Sequence, residues 1–138
     1  FFFQLPVLPE LLFRRDDFAG LKTMLRTDPL RRGTFSDEDI QRYRDAMARP
    51  GVVSAAINYY RAAFRRNWFR TAREIAPIEV PTLVIWGERD RYLDLRLLDG
   101  LDHWVRRLRV ERLPGVSHWV QNEAAQEVNL LLIDFLTR

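Results

Sequence analysis

Residues 81–90 read PTLVIWGERD, a short apolar run stopped by a glycine and then by charges. Its length and β-branched content favour a β-strand buried on both faces, as in a parallel sheet. Downstream, residues 93–105 (LDLRLLDGLDHWV) read as an amphipathic helix with an imperfect interior at Gly100. Residues 107–113 (RLRVERL) alternate Leu108 and Val110 with polar side chains, the pattern of a half-exposed edge strand. After the loop PGVSHW at 114–119, Val128, Leu131, Leu132, Phe135 and Leu136 recur at helical spacing. Strand, helix, strand, helix is the grammar of an α/β sheet. Two parallel strands leave faces and edges uncovered, so residues 75–138 are expected to be the last portion of a larger α/β domain.

Upstream the chain has a different character, with a change near Pro77. Ser36 can cap a helix over SDEDIQRYRDAM: Asp39 sits three residues on, and acids fill the first turn, where they favour the helix dipole. Ile40, Tyr43 and Met47 then share one face, and Pro50-Gly51 ends the run. A second helix follows, with Val53, Ala56, Ile57, Tyr60, Ala63 and Phe64 as its apolar stripe. Tyr60 falls within that stripe and is expected to point inward. Tyr59 is turned about 100° away from it. Residues 1–74 are therefore expected to form a helical domain.

Composition narrows the function classes. At 138 residues, with 47% hydrophobic and 30% charged side chains, the chain is globular rather than disordered. No apolar run approaches the roughly 20 residues of a membrane-spanning helix, and FFFQLP lacks the flanks of a signal peptide. A cytoplasmic protein without membrane partners is the expectation. There is no cysteine, hence neither disulfide nor thiolate metal site. The net charge of +3 is almost wholly arginine, with Lys22 the only lysine, and the basic residues are interleaved with acids as in RRDD and GERDR. A nucleic-acid binder would collect them into a patch, so no nucleic-acid partner is expected. The chain has no initiator Met and opens on three phenylalanines, so it is expected to be a fragment.

In open α/β sheets the reactive groups lie in loops at the carboxyl ends of the strands. One such loop here offers Glu88, Arg89 and Asp90, and the other offers Ser117 and His118. Adjacent strands are about 5 Å apart, so an acid in one loop can reach a histidine in the next. An acid that fixes the tautomer of a histidine acting as general base is a recurrent device of nucleophilic catalysis. Against this stand the ordinary roles of a loop histidine in packing and of a post-strand Asp in turn formation. The joint placement favours chemistry. His103, in the expected helix, is read as structural.

These residues carry a resemblance. PTLVIWGERD, followed by ERLPGVSHWVQNEAAQEVNLLLIDFL at 111–136, resembles the C-terminal part of an α/β-hydrolase of the epoxide hydrolase group. FFFQLPVLPE at 1–10 and INYYRAAFRRNW at 57–68 resemble the start and end of that group's helical cap domain. The resemblance implies Asp90 as the triad acid, His118 as the triad histidine, in the order nucleophile, acid, histidine, and Tyr60 as the cap tyrosine that polarises an epoxide oxygen. Phe2, Phe3 and Tyr59, with Trp119 behind the histidine, are candidates for substrate contacts; Phe2, Phe3, Tyr59, Phe64 and Trp68 fit an apolar pocket wall and equally the core of the cap.

The implied reaction opens a small apolar epoxide through an aspartyl ester that His118 hydrolyses with water, without cofactor or metal. No nucleophile motif of the HDWGG or G-x-S-x-G kind, and no HGxP-type oxyanion segment, occurs in the 138 residues. The second cap tyrosine would fall before Phe1. The fragment alone is therefore expected to be inactive, and a homodimer is left open. The alternatives are a haloalkane or haloacid dehalogenase, which holds halide with tryptophan or other N–H donors, a serine esterase of the same fold, a non-catalytic ligand receptor built on it, and an independent helical interaction domain.

Overall fold

The structure, a computed structural model, describes residues 2–65 and 76–138, with only the backbone of Phe64 and Arg65. The expected division at residue 74, Trp68 and the side chain of Phe64 lie outside the described residues. The chain separates into two compact units, one of Phe1–Thr27 with Phe35–Ile75 and one of Asp28–Thr34 with Ala76–Arg138. Among the described residues no helix is long and apolar enough to cross a membrane.

The first unit is helical: α1 spans Leu8–Thr27, α2 Asp37–Ala48 and α3 Val52–Arg65, preceded by a 3-10 turn at Phe2–Gln4. The start of α2 is the capping box expected from its sequence. The Ser36 hydroxyl accepts from the Asp39 amide, and the Asp39 carboxylate accepts from the Ser36 amide. Gly51, with φ +81°, separates α2 from α3. Helix α1 is broken midway, because Asp16, Asp17 and Phe18 are left-handed with φ of 49°, 53° and 61°. Each such residue costs roughly 1–2 kcal/mol. The break buries Phe18 and gives Asp17 two cations, Lys22 at 2.5 Å and Arg44. Hydrogen bonds from Arg44 and then Lys22 hold the Asp17 carboxyl below its usual range.

Among the described residues of this unit, Leu21, Leu25, Phe35, Ile40, Val53 and Ile57 are buried besides Phe18 and Pro9. On α3 the buried stripe is narrower than its sequence suggests. Val53 and Ile57 are buried, Ala56 is exposed and Tyr60 is 50% exposed, against 75% for Tyr59. The expectation that Tyr60 points inward is thus corrected. Beyond Ile57 the helix meets the N-terminal 3-10 turn, where Phe3 lies against one side of the Tyr60 ring at 5.1 Å.

The second unit holds the strands β1 (Thr82–Gly87) and β2 (Leu108–Leu113), then α4 (Val120–Glu123) and α5 (Ala125–Leu136). The strands are parallel, in register from Thr82 against Leu108 to Gly87 against Leu113. The segment between them corrects the expected helix. It forms two 3-10 turns, Leu95–Leu98 capped by the Asp94 side chain and Leu101–His103, interrupted where Gly100 takes φ +76°. A left-handed residue flanked by short side-chain caps stops an α-helix from propagating. β1 is half-exposed over Leu83–Trp86 instead of buried on both faces, since β2 is its one partner strand among the described residues. The core is Val116, Ala124 and Val128, with Ile85, Leu113 and Val120 against them. On α5 the apolar face is buried only at Val128, and Leu132 and Leu136 are exposed.

Gly87 sets how closely the ends of the strands approach. A Cβ there would lie 2.2 Å from the Ser117 carbonyl oxygen and 2.5 Å from that of Val116, both backbone atoms with no rotamer to yield. We expect Gly87→Ala to lower stability by about 3 kcal/mol. Gly20→Ala, within α1 and with nothing inside 4 Å of its new methyl, should be neutral or stabilising by up to about 1 kcal/mol. Thermal and urea unfolding of the two variants checks the contrast, and an unperturbed Gly87→Ala would contradict it.

Candidate active site

Beyond the last residue pair the two strands continue to zip together. The Glu88 amide donates to the Leu113 carbonyl at 3.1 Å and the Arg89 amide to the Val116 carbonyl at 3.0 Å. The Asp90 amide then turns back to donate to the Gly87 carbonyl at 3.1 Å. This delivers the Asp90 side chain to the loop that follows β2. Its Oδ2 lies 2.8 Å from His118 Nδ1, and its Oδ1 accepts from the amides of Tyr92 at 2.8 Å and Leu93 at 3.0 Å. The Asp90 side chain is 7% exposed and that of His118 is 37% exposed.

Both carboxylate oxygens of Asp90 are therefore engaged, which fixes the carboxylate plane. A carboxylate accepts, so Nδ1 carries the proton and Nε2 presents its lone pair. A histidine with an oriented Nε2 on a partly exposed ring can take a proton from a water or a hydroxyl. The imidazole is also framed by aromatic edges, with Tyr92 at 5.1 Å and Trp119 at 5.7 Å between ring centres. Trp119 does sit beside the histidine, as expected. Tyr92 has no counterpart in the sequence reading, although it lies two residues past Asp90.

The remaining strand-end candidates are structural. Ser117 is buried, its amide donates to Glu123 Oε2 at 2.6 Å, and its hydroxyl accepts from the Trp119 amide. Glu88 pairs with Arg112 at 3.2 Å. Arg89 is exposed. His103 is exposed, with Nδ1 near the Gly100 carbonyl.

Glu123 is the residue that sequence reasoning missed in this loop. It is 6% exposed, and Oε1 accepts from the amides of Leu30 and Arg31 while Oε2 holds the amide of Ser117, next to His118. The Arg31 guanidinium closes the arrangement by donating to the Glu123 carbonyl at 2.8 Å and to Glu127 at 3.1 Å. Burial pushes the Glu123 carboxyl up, yet the hydrogen bonds from Ser117, Arg31 and Leu30 outweigh it and hold the group below its ordinary value of 4.5. The acid at the end of a four-residue helix carried no periodicity signal, and two of its three amide partners are 92 and 93 residues away.

In the first unit, Phe2 and Phe3 line an apolar cavity of about 300 Å³ with Leu12, Phe13, Leu21 and Met24. Phe2 is 47% exposed, and the Tyr59 ring meets Tyr60 edge-on at 5.6 Å. Among the described residues the Tyr60 hydroxyl has no hydrogen-bond partner. Its neighbour Arg61 anchors the N-terminal segment to α3, donating to the carbonyls of Phe3 and Leu5 and pairing with the largely buried Glu10. No group of three or more His, Asp or Glu side chains among the described residues could hold a metal ion.

No family model matches the chain. It is 34% identical to epoxide hydrolase 3 of Xenopus tropicalis over 99% of its own length and 37% of that protein's. It is 30% identical to the AB hydrolase superfamily protein YfhM of Bacillus subtilis, over 98% of this chain and 46% of that one. Among solved structures it superposes on an inhibitor complex of a Bacillus megaterium epoxide hydrolase with a TM-score of 0.83 and 28% identity, covering 99% of this chain and 50% of that chain. A Vigna radiata epoxide hydrolase gives 0.79 at 25% identity, covering 98% and 48%. The chain thus spans half or less of the length of these proteins.

The Glu123 clamp predicts an acid response. A carboxyl whose value is lowered by folding adds stability above its unfolded value, here 4.5, and that contribution disappears as pH falls through the lower folded value. Glu123→Gln should therefore be less stable than the parent at neutral pH, by about 1–3 kcal/mol, with the difference shrinking below about pH 4. Urea unfolding across that range checks it, and a constant difference at all pH values would contradict the assignment.

Proposed function

Because the chain is an epoxide hydrolase-like stretch of the α/β-hydrolase fold, we propose that Asp90 and His118 are the acid and histidine of a triad that opens epoxides to diols. The observation that carries the reading is the 2.8 Å hydrogen bond between Asp90 and His118 Nδ1 at the ends of two parallel strands. The third member is an aspartate that the 138 residues do not supply. The substrate class is a small apolar epoxide.

In the proposed reaction the aspartate carboxylate attacks an epoxide carbon. The carbon–oxygen bond breaks, its electron pair passes to the oxygen, and the Tyr60 hydroxyl supplies the proton. Charge develops on that oxygen only as the ring opens, so a donor aimed there stabilises the transition state more than the ground state. His118 Nε2 then takes a proton from water. The hydroxide adds to the ester carbonyl carbon and the alkoxide leaves with the proton from His118; the proton left on the carboxyl then returns through solvent to the Tyr60 phenolate, restoring both the carboxylate and the hydroxyl. Asp90 stays ionised throughout and stabilises the imidazolium that forms between the two transfers. For Tyr60 the support is its place in the NYYR element and its half-exposed ring.

His118→Gln in the whole protein should consume a stoichiometric burst of epoxide and release no diol, since only the second half-reaction needs the base. Asp90→Asn should form the ester normally and hydrolyse it slower by about a thousandfold or more. Rapid-quench measurement of epoxide loss and diol release distinguishes the steps. Steady diol release by His118→Gln at the parent's rate would refute the role of the histidine.

A further inference from the structure

We propose that Asp28 is a positioning residue for His118, acting through Tyr92. Asp28 lies 62 residues before Asp90 in the chain, yet belongs to the same compact unit. Its side chain is 7% exposed and accepts from two neighbours, the Tyr92 hydroxyl through Oδ2 and the Arg91 guanidinium through Oδ1 at 2.9 Å. A carboxylate withdrawn from water to that degree is retained only where its hydrogen bonds compensate for the lost hydration. One of those bonds fixes the far end of the ring that lies against His118.

Tyr92 is held at both of its ends. Its amide donates to Asp90 Oδ1 at 2.8 Å, and its hydroxyl donates to Asp28. The ring between them meets the imidazole edge-on at 5.1 Å, tilted by 69°. With Trp119 at 5.7 Å on the imidazole as well, rotation of His118 about its side-chain bonds is restricted by aromatic contacts. The hydrogen bond to Asp90 sets which nitrogen carries the proton. The Tyr92 ring sets where Nε2 points.

Asp28 is itself held by the His118 loop. The Leu30 and Arg31 amides bind Glu123 Oε1, whose partner oxygen holds the Ser117 amide, and the Thr34 hydroxyl folds back on the Arg31 carbonyl at 2.6 Å. Hydrogen bonds and the chain together thus form a closed circuit: Asp28 to Tyr92, Tyr92 to Asp90 and Asp90 to His118 by hydrogen bonds, His118 to Ser117 along the chain, Ser117 to Glu123 to Leu30 by hydrogen bonds, and Leu30 to Asp28 along the chain. A closed circuit resists displacement of any one member more than an open chain does, because each is tethered from two sides. The aspartate is placed to transmit the position of the 28–34 segment to the base. Its functional meaning rests on the proposed reading of His118 as a working base, whereas its structural effect on the imidazole can be measured separately.

The test uses the chain with ¹⁵N-labelled histidine. It has two histidines, His103 and His118, so His103→Gln assigns the spectrum. The readouts are water exchange of the His118 Nδ1 proton and the cross-relaxation between the His118 and Tyr92 rings. Tyr92→Phe, which keeps the ring and removes only the hydroxyl, and Asp28→Asn should each accelerate that exchange by about tenfold or more and weaken the ring cross-peaks. Asp28→Glu should recover part of the slow exchange. Arg96→Gln, which breaks an exposed ion pair with Asp94 in the same segment, should leave both signals as in the parent.

His118 signals unchanged in Tyr92→Phe would overturn the proposal, as would an Asp28→Asn variant that is merely less stable with a parental His118 spectrum. If Asp28→Asn fails to fold, Tyr92→Phe decides. The expected signature in this chain, together with no epoxide turnover by the whole protein, would reject the hydrolase reading and leave the role of Asp28 standing.

Discussion

The approach of one backbone to another at Gly87 is the constraint from which the site follows. Parallel strands that end in register at Gly87 and Leu113 bring their exit loops to one level. The amides of Glu88 and Arg89 can then reach the carbonyls of Leu113 and Val116. Only a residue without a Cβ allows the Val116–Ser117 backbone to pass so close to the strand. From that crossing Asp90 is three residues away on one side and His118 two on the other, which is the reach of a short side-chain hydrogen bond. The Asp90–His118 contact is a property of strand ends brought together, with little left to loop flexibility.

Polar accounting explains why the loops stay in place. Asp90 satisfies both carboxylate oxygens, one on the imidazole and the other on two amides of its own turn. Glu123 does the same for the neighbouring loop, with three amides on its two oxygens. A buried carboxylate is tolerable only when such donors replace water, so each acid in turn fixes the backbone that serves it. The segment 28–34 is where these two systems meet, through Asp28 on one side and Leu30 and Arg31 on the other. Residues remote in sequence thus determine the orientation of the histidine as much as its immediate neighbours do.

The sequence made the strands, the capping box at Ser36 and the pairing of Asp90 with His118 legible because each is a local signal. Apolar runs, a cap three residues from its acid, and reactive types just past a strand stop are all read within a short window. It failed between the strands, where the apolar spacing of residues 93–105 is helical but Gly100 and the flanking aspartates favour short 3-10 turns. It also overstated burial. An apolar run reports composition, and in the structure β1 is paired along one edge and Tyr60 rests against Phe3 with half of its surface open. Asp28 and Glu123 were illegible because Asp28 bonds Arg91 and Tyr92, 63 and 64 residues away, two of the three amides on Glu123 come from 92 and 93 residues away, and neither acid has a periodic context.

The central claim is that His118, oriented by Asp90, directs water at an ester on the protein. Oxygen bookkeeping tests it most directly. A single turnover of the whole protein in heavy-oxygen water, with protein in excess over epoxide, is followed by proteolysis and mass spectrometry of the peptides and the diol. The label should enter a carboxylate of the protein, with the diol keeping the epoxide oxygen and taking its second oxygen from that carboxylate. Heavy oxygen found in the diol after one turnover, with every peptide unlabelled, would show that water attacks the epoxide directly and would contradict the account.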